Sequence, residues 1–119
     1  MNKYRAKKTT VGGITFDSRA EAARYCQLKA LERDNKIVGL LVKPKYTFAC
    51  GIKYTPDFAY FEGYGKAQAI APTVEDVKGY VTRDSKMRAK LLKHERGIEV
   101  KFVKMKSSDV NTWLGIGVG

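Results

Sequence analysis

The tetrapeptide Ser18-Arg19-Ala20-Glu21 constrains the fold of this chain more than any other short stretch. A serine followed three residues later by a glutamate is a capping box. The Ser18 hydroxyl accepts from the Glu21 amide, and the Glu21 carboxylate reaches back toward the helix start. The box predicts a helix from Ser18 through an Ala- and Leu-rich segment to Asp34, ended by Asn35-Lys36. On that helix Glu21, Tyr25 and Leu28 share one stripe, the stripe best suited to pack on a sheet. Strand material follows. Ile37–Val42 (IVGLLV) is an apolar run of strand length, interrupted by Lys43-Pro44-Lys45 and resumed at Tyr46–Phe48. Tyr54–Phe61 (YTPDFAYF) is aromatic and strand-like, with Pro56 marking an edge, a bulge or a strand start. Glu62–Pro72 reads as a hairpin connection and Thr73–Tyr80 (TVEDVKGY) as a strand. A second helix, capped by Asp84 or Ser85, runs to Glu95 and stops at Gly97, and Ile98–Lys104 is the last strand. Val11–Phe16 reads as a short strand or turn and residues 1–10 as a basic arm. The tail 107–119, ending in WLGIGVG, has no assignable pattern. The order α-β-β-β-α-β predicts one α/β domain over residues 1–119, with a central mixed sheet flanked by helices.

Charge narrows the partner. The chain carries 23 Lys+Arg against 12 Asp+Glu, a net charge of +11. That balance favours a polyanion, nucleic acid ahead of an anionic membrane. No apolar run approaches the roughly 18 residues that span a bilayer, and no strongly apolar amphipathic helix is available to lie on one. The opening MNKYRAKKTT lacks the apolar segment of a signal peptide. Cys26 and Cys50 make neither a metal-ligand pattern nor a disulfide framework, so a reducing cytoplasm is the expected location. The single His94 excludes a site that needs two histidines, and the helix dipole accounts for it at a helix end. Candidate contacts to nucleic-acid phosphates are Lys3, Arg5, Lys7 and Lys8 in the arm, and Arg83, Lys86, Arg88, Lys90 and Lys93 along the second helix.

Against this basic background the acids stand out. Strand side chains alternate faces, so Asp76 and Lys78 point the same way, about 7 Å apart, while Glu75 and Val77 point the other. In Tyr54–Phe61 the same rule sets Thr55, Asp57, Ala59 and Phe61 apart from Tyr54, Phe58 and Tyr60. If the two strands pair, Asp57 meets Asp76. Like charges in close proximity raise carboxylate pKa values. A divalent cation relieves that repulsion, and Mg²⁺ prefers a few carboxylates with water and substrate phosphate. Such a cation polarises a phosphorus–oxygen bond and lowers the pKa of bound water. Lys78 would orient the attacking water or neutralise charge developing on phosphorus. Glu21 is a candidate third carboxylate at a helix start, though its capping role alone accounts for it. Asp57 can equally be a turn residue after Pro56, Asp76 with Lys78 a plain ion pair, and Glu75 a partner for some basic residue.

Taken together, Pro56-Asp57, Asp76-Val77-Lys78 and the preceding helical Glu21 resemble the PD-(D/E)XK nuclease superfamily. FDSRAE before the first helix, YTPDF, and VEDVKGY leading into a Lys/Arg-rich helix resemble its phage endonuclease I family of Holliday-junction resolvases, over roughly Phe16–Val103. The N-terminal half is similar to short phage and prophage proteins of unknown function. The resemblance implies a restriction-endonuclease-like core and metal-dependent hydrolysis of DNA phosphodiesters, probing branched or distorted duplex. It implies Glu21, Asp57 and Asp76 as acidic metal-site residues, the Val77 carbonyl as a further ligand, Lys78 as the catalytic lysine, and Mg²⁺ (or Mn²⁺) as cofactor. It also implies a phage- or prophage-encoded protein in the cytoplasm of a bacterial host. Two symmetric cuts need two active sites, so a homodimer is expected. The alternatives are a non-catalytic basic nucleic-acid-binding module on a nuclease-like fold, and a sequence- or mismatch-specific nuclease of the same superfamily.

Overall fold

Ser18 opens the first helix as its capping box requires. In the computed structural model, which describes residues 7–118, β1 (Thr9–Val11) and β2 (Ile14–Phe16) form a hairpin that leads into α1 (Arg19–Arg33). The Ser18 hydroxyl accepts from the Glu21 amide at 3.1 Å, and Asp34 closes the helix. Thr9 and Thr10 therefore belong to a strand, a correction to the arm expected over residues 1–10. Lys3 and Arg5 lie outside the described residues.

The chain continues through β3 (Ile37–Val42), β4 (Tyr46–Thr47), β5 (Lys53–Tyr54), β6 (Phe58–Glu62), β7 (Thr73–Val77), α2 (Arg83–Arg96), β8 (Val100–Val103) and α3 (Ser107–Val118). The central sheet has the order β3-β6-β7-β8. Its first two pairings are antiparallel and β7–β8 is parallel, so the sheet is mixed. A parallel pair needs a crossover connection, and α2 supplies it. Thr82 caps α2 by accepting from the Ser85 amide, and Gly97 ends it in the left-handed conformation (φ 67°) that glycine adopts without strain. The protein is thus an α/β fold with a mixed four-stranded sheet and three helices.

Alternation along the strands divides the core between the two faces. Phe58, Tyr60 and Val77 pack under α1 and α3, against Phe16, Ala22, Ala23, Leu28, Val110 and Leu114. Ala59 and Val74 pack on the opposite face, against Phe48 and Tyr54 of the β4–β5 ribbon and Leu92 of α2.

Three departures from the sequence reading have physical causes. Tyr54–Phe61 is not one strand but two, β5 and β6, separated at Thr55–Asp57. Pro56 has no N–H to give a ladder. The break reverses Tyr54, which lies on the Ala59 side of the sheet. The strand expected over Thr73–Tyr80 ends at Val77, and the Lys78 amide makes its last ladder bond to the Val103 carbonyl at 2.9 Å. The unassigned tail is a helix. Val110 and Leu114 are core residues with Trp113 packed beside them, an i, i+3, i+4 pattern hidden by its glycine-rich surroundings.

The start of β6 and the end of β7 are adjacent because these strands run antiparallel. The α2 and α3 helices begin just after β7 and β8 end, at this same edge. The start of α1 comes there too, tied by an ion pair from Lys43, just past β3, to Asp17 (3.6 Å).

Candidate active site

Asp57 occupies the fork where β6 and β7 part. Its N–H donates to the Glu75 carbonyl (3.1 Å) and its carbonyl accepts from the Lys43 N–H (2.8 Å), which carries both ladders one residue beyond β6. Its side chain turns across the end of β7, and Oδ2 accepts the Val77 N–H at 2.7 Å. Asp76, only 4% exposed, points to the face opposite α1. Tyr54 Oη donates to Asp76 Oδ2 at 2.9 Å, and Lys78 Nζ lies 3.8 Å from Asp76 Oδ1. Glu21 approaches from the start of α1. The Ser18 hydroxyl donates to Glu21 Oε2 at 3.3 Å, while buried Oε1 has no hydrogen-bond partner.

The electrostatics show how closely these groups interact. The Asp57 carboxyl is pushed up to about 8, first by burial, then by the charge of Glu21, with Asp76 adding to the effect. The hydrogen bond from Val77 opposes the rise. Glu21 is also raised, by burial and by Asp17, against the pull of Ser18 and Lys43. Burial and Asp76 push the Tyr54 phenol well above its ordinary range, so it stays protonated and serves as a donor.

Glu21, Asp57, Asp76 and Lys78 therefore collect at one end of the sheet. Among the described residues, no three carboxylate, imidazole or thiol groups come close enough together to hold a metal ion. Glu21 exerts the largest charge effect on Asp57, and Asp76 adds a smaller one. The acidic oxygens sit in a half-buried, self-repelling arrangement.

The neighbouring acid has a different position. Glu75 is 1% exposed and faces α1, where the Arg24 guanidinium grips it in a fork (2.7 and 2.6 Å) and the Tyr60 hydroxyl donates a third bond. Its charge is matched on that face.

Sequence reasoning missed Tyr54 and Arg24. Reading Tyr54–Phe61 as one strand put Tyr54 on the wrong side, although Pro56 was the available signal. An arginine at i+3 from Glu21 on the packing side of α1 was the signal for a buried acidic partner.

The cations of α2 divide by their partners. Arg83, Lys86 and Lys90 line an open groove of about 440 Å³ with Met87, Leu91 and His94. Arg88 is held by Asp84 and the Lys53 carbonyl, and Lys93 by Glu99 (2.6 Å). Lys7 and Lys8 are exposed at the start of the described chain.

Fold and site together define a basic, mixed α/β domain with an acidic pair and a lysine at one sheet end. The family model described as a protein of unknown function (DUF1064) matches residues 1–112, and the chain belongs to that family. Comparison with curated proteins and with solved structures finds no match. Among the described residues, no helix is long and apolar enough to cross a membrane.

Proposed function

We propose that this protein is a metal-dependent endonuclease that hydrolyses DNA phosphodiesters, selecting branched or otherwise distorted duplex in phage DNA metabolism. The observation that carries this reading is the collection of Asp57, Asp76, Glu21 and Lys78 at one sheet end of a protein whose net charge is +11. Burial and the nearby charges of Glu21 and Asp76 together raise the Asp57 carboxyl to about 8, the kind of displacement that gathers at functional sites.

Asp57 and Asp76, with the Val77 carbonyl, would hold Mg²⁺, and Glu21 would add negative charge beside it. When bound, Mg²⁺ supplies polarisation of the scissile phosphate and a water acidic enough to attack it. The chain's own groups do the positioning. The Val77 N–H fixes one oxygen of Asp57, and the Tyr54 hydroxyl fixes one oxygen of Asp76, whose other oxygen faces Lys78. Lys78, half-buried beside Asp76, can orient a water or meet charge growing on phosphorus. Arg83, Lys86 and Lys90 supply phosphate contacts that place the duplex without reading its sequence. Paired cuts across a branch need two such sites, hence a homodimer.

The test is a panel of four-way, nicked, mismatched and linear duplexes, each incubated with Mg²⁺ and with EDTA. Mg²⁺-dependent cutting that prefers the four-way junction, and is lost in Asp57→Ala while binding survives, supports the proposal. Salt-sensitive binding with no cleavage under any divalent metal would make the protein a non-catalytic binding module instead.

A further inference from the structure

We propose a second nucleic-acid backbone site on the opposite side of the acidic pair from α2, built by Lys7, Lys8, Arg19 and Lys106. This inference rests on the nucleic-acid reading above and extends it to the path of the duplex. The α2 helix packs on one face of the sheet through Leu92, whereas α1 and α3 pack on the other through Ala22, Ala23, Val110 and Leu114. The acids sit at the sheet edge between those layers. Cations on α2 alone would grip a duplex on one side of the scissile phosphate only.

The other side is also basic. Lys7 and Arg19 both line an open cavity of about 410 Å³ between the starts of α1 and α3, with Ser18, Ser107 and Asn111. They share a second cavity of about 370 Å³ with Lys8, Thr9 and Thr10. Lys106 is exposed immediately before α3, its carbonyl accepting the Val110 amide. Arg19 is preorganised: its guanidinium donates to the neutral Asn111 side chain at 3.0 Å, which fixes its direction without cancelling its charge. Of the acids on these turns, Asp17 is engaged by Lys43, Glu21 accepts from Ser18 in the first turn of α1, and Asp109 lies in the first turn of α3. The surface keeps a net positive charge and carries polar hydroxyl and amide groups, the chemistry of a phosphate-backbone contact.

The experiment is fluorescence anisotropy in EDTA, with labelled duplexes of increasing length, on wild type, Arg19→Gln/Lys106→Gln and Lys86→Gln/Lys90→Gln. Each neutralised phosphate contact lowers the salt slope by about 0.9. On a long duplex, Arg19→Gln/Lys106→Gln should weaken binding by roughly 10-fold or more and flatten the log–log salt slope by about 2. On a duplex too short to cross both tracks the loss should shrink. Both pairs are exposed, and melting curves matching wild type confirm intact folding. Wild-type binding that is unchanged in Arg19→Gln/Lys106→Gln, while Lys86→Gln/Lys90→Gln weakens it, would overturn the second site and leave the nucleic-acid reading standing. Absence of wild-type binding at every length would overturn both. Vesicles with anionic headgroups form a further arm. Arg19- and Lys106-dependent binding to vesicles in preference to DNA would overturn the assignment to nucleic acid.

Discussion

Replacing Asp57 with asparagine should stabilise the metal-free protein, and more so as pH rises. Asp57 is displaced from an ordinary 3.8 to about 8 by burial and by Glu21 and Asp76. A carboxyl whose folded pKa is raised above its unfolded value favours folding in its protonated form. Its contribution is fully present below about pH 4 and is lost as pH climbs through about 8. At about 1.4 kcal/mol per pH unit, the whole displacement sets an upper bound on the order of 6 kcal/mol. Asp57 is only half-buried and Glu21 competes for the same proton, so about 2–4 kcal/mol is the working expectation. Asparagine keeps an acceptor for the Val77 N–H and carries no charge at any pH. The assay is urea unfolding of wild type and Asp57→Asn from pH 4 to 9.5 in EDTA. Near pH 4 the two should be similar; by pH 9 the variant should be ahead by the amount above. Glu21→Gln should make the wild-type loss smaller and end it at a lower pH, because the largest charge raising Asp57 is gone. Millimolar Mg²⁺ at pH 8 should restore wild type and leave Asp57→Asn unmoved, since only a ligand of the folded state shifts the equilibrium. Parallel stability curves, with a difference that does not change with pH, would refute the claim that these carboxylates repel one another.

Asp76→Asn and Lys78→Ala should each abolish cleavage in a gel assay while anisotropy still detects DNA binding. Glu75→Gln should lower stability by about 3–5 kcal/mol, because it strands the Arg24 charge, yet cutting per folded molecule should persist at temperatures below its melt. Tyr54→Phe removes one buried hydrogen bond to Asp76 and should cost about 1–2 kcal/mol in denaturant melts, with kcat falling more than KM rises. Leu114→Ala should cost about 2–4 kcal/mol by calorimetry, since α3 contributes to the α1-side core.

The elements legible in the sequence were those with local signals. The Ser18 capping box, the Gly97 stop and the apolar run Ile37–Val42 each depend on neighbours within a few residues, and each was located within a residue or two. The pleat also separated Glu75 from Asp76 correctly, because both lie inside the regular part of β7. The tail failed because Val110 and Leu114 are held by contacts to α1, distant in sequence, and their surroundings have poor helix propensity. Alternation failed at Tyr54, where the backbone stops being regular.

That failure lies at the site itself. Pro56 withholds an N–H and ends regular pairing, so the chain crosses from β5 to β6 with a change of face. Tyr54 consequently lies on the Asp76 side and can donate to it, which an unbroken strand would forbid. The same break leaves Asp57 as the first residue of the fork. Its main chain is still anchored to β3 and β7, but its side chain is free to close on the Val77 amide. The proline thus accounts for two positions at once, the acid and the phenol that fixes its neighbour. Pro56→Ala tests this. The residue is fully buried, so alanine leaves the backbone a choice it lacked. If the break sets the geometry, kcat should fall by about 10-fold or more (about 1.4 kcal/mol of lost transition-state stabilisation) with the fold retained by circular dichroism. An alanine variant that cleaves like wild type would show that the surrounding sheet, not the proline, holds Tyr54 and Asp57 in place.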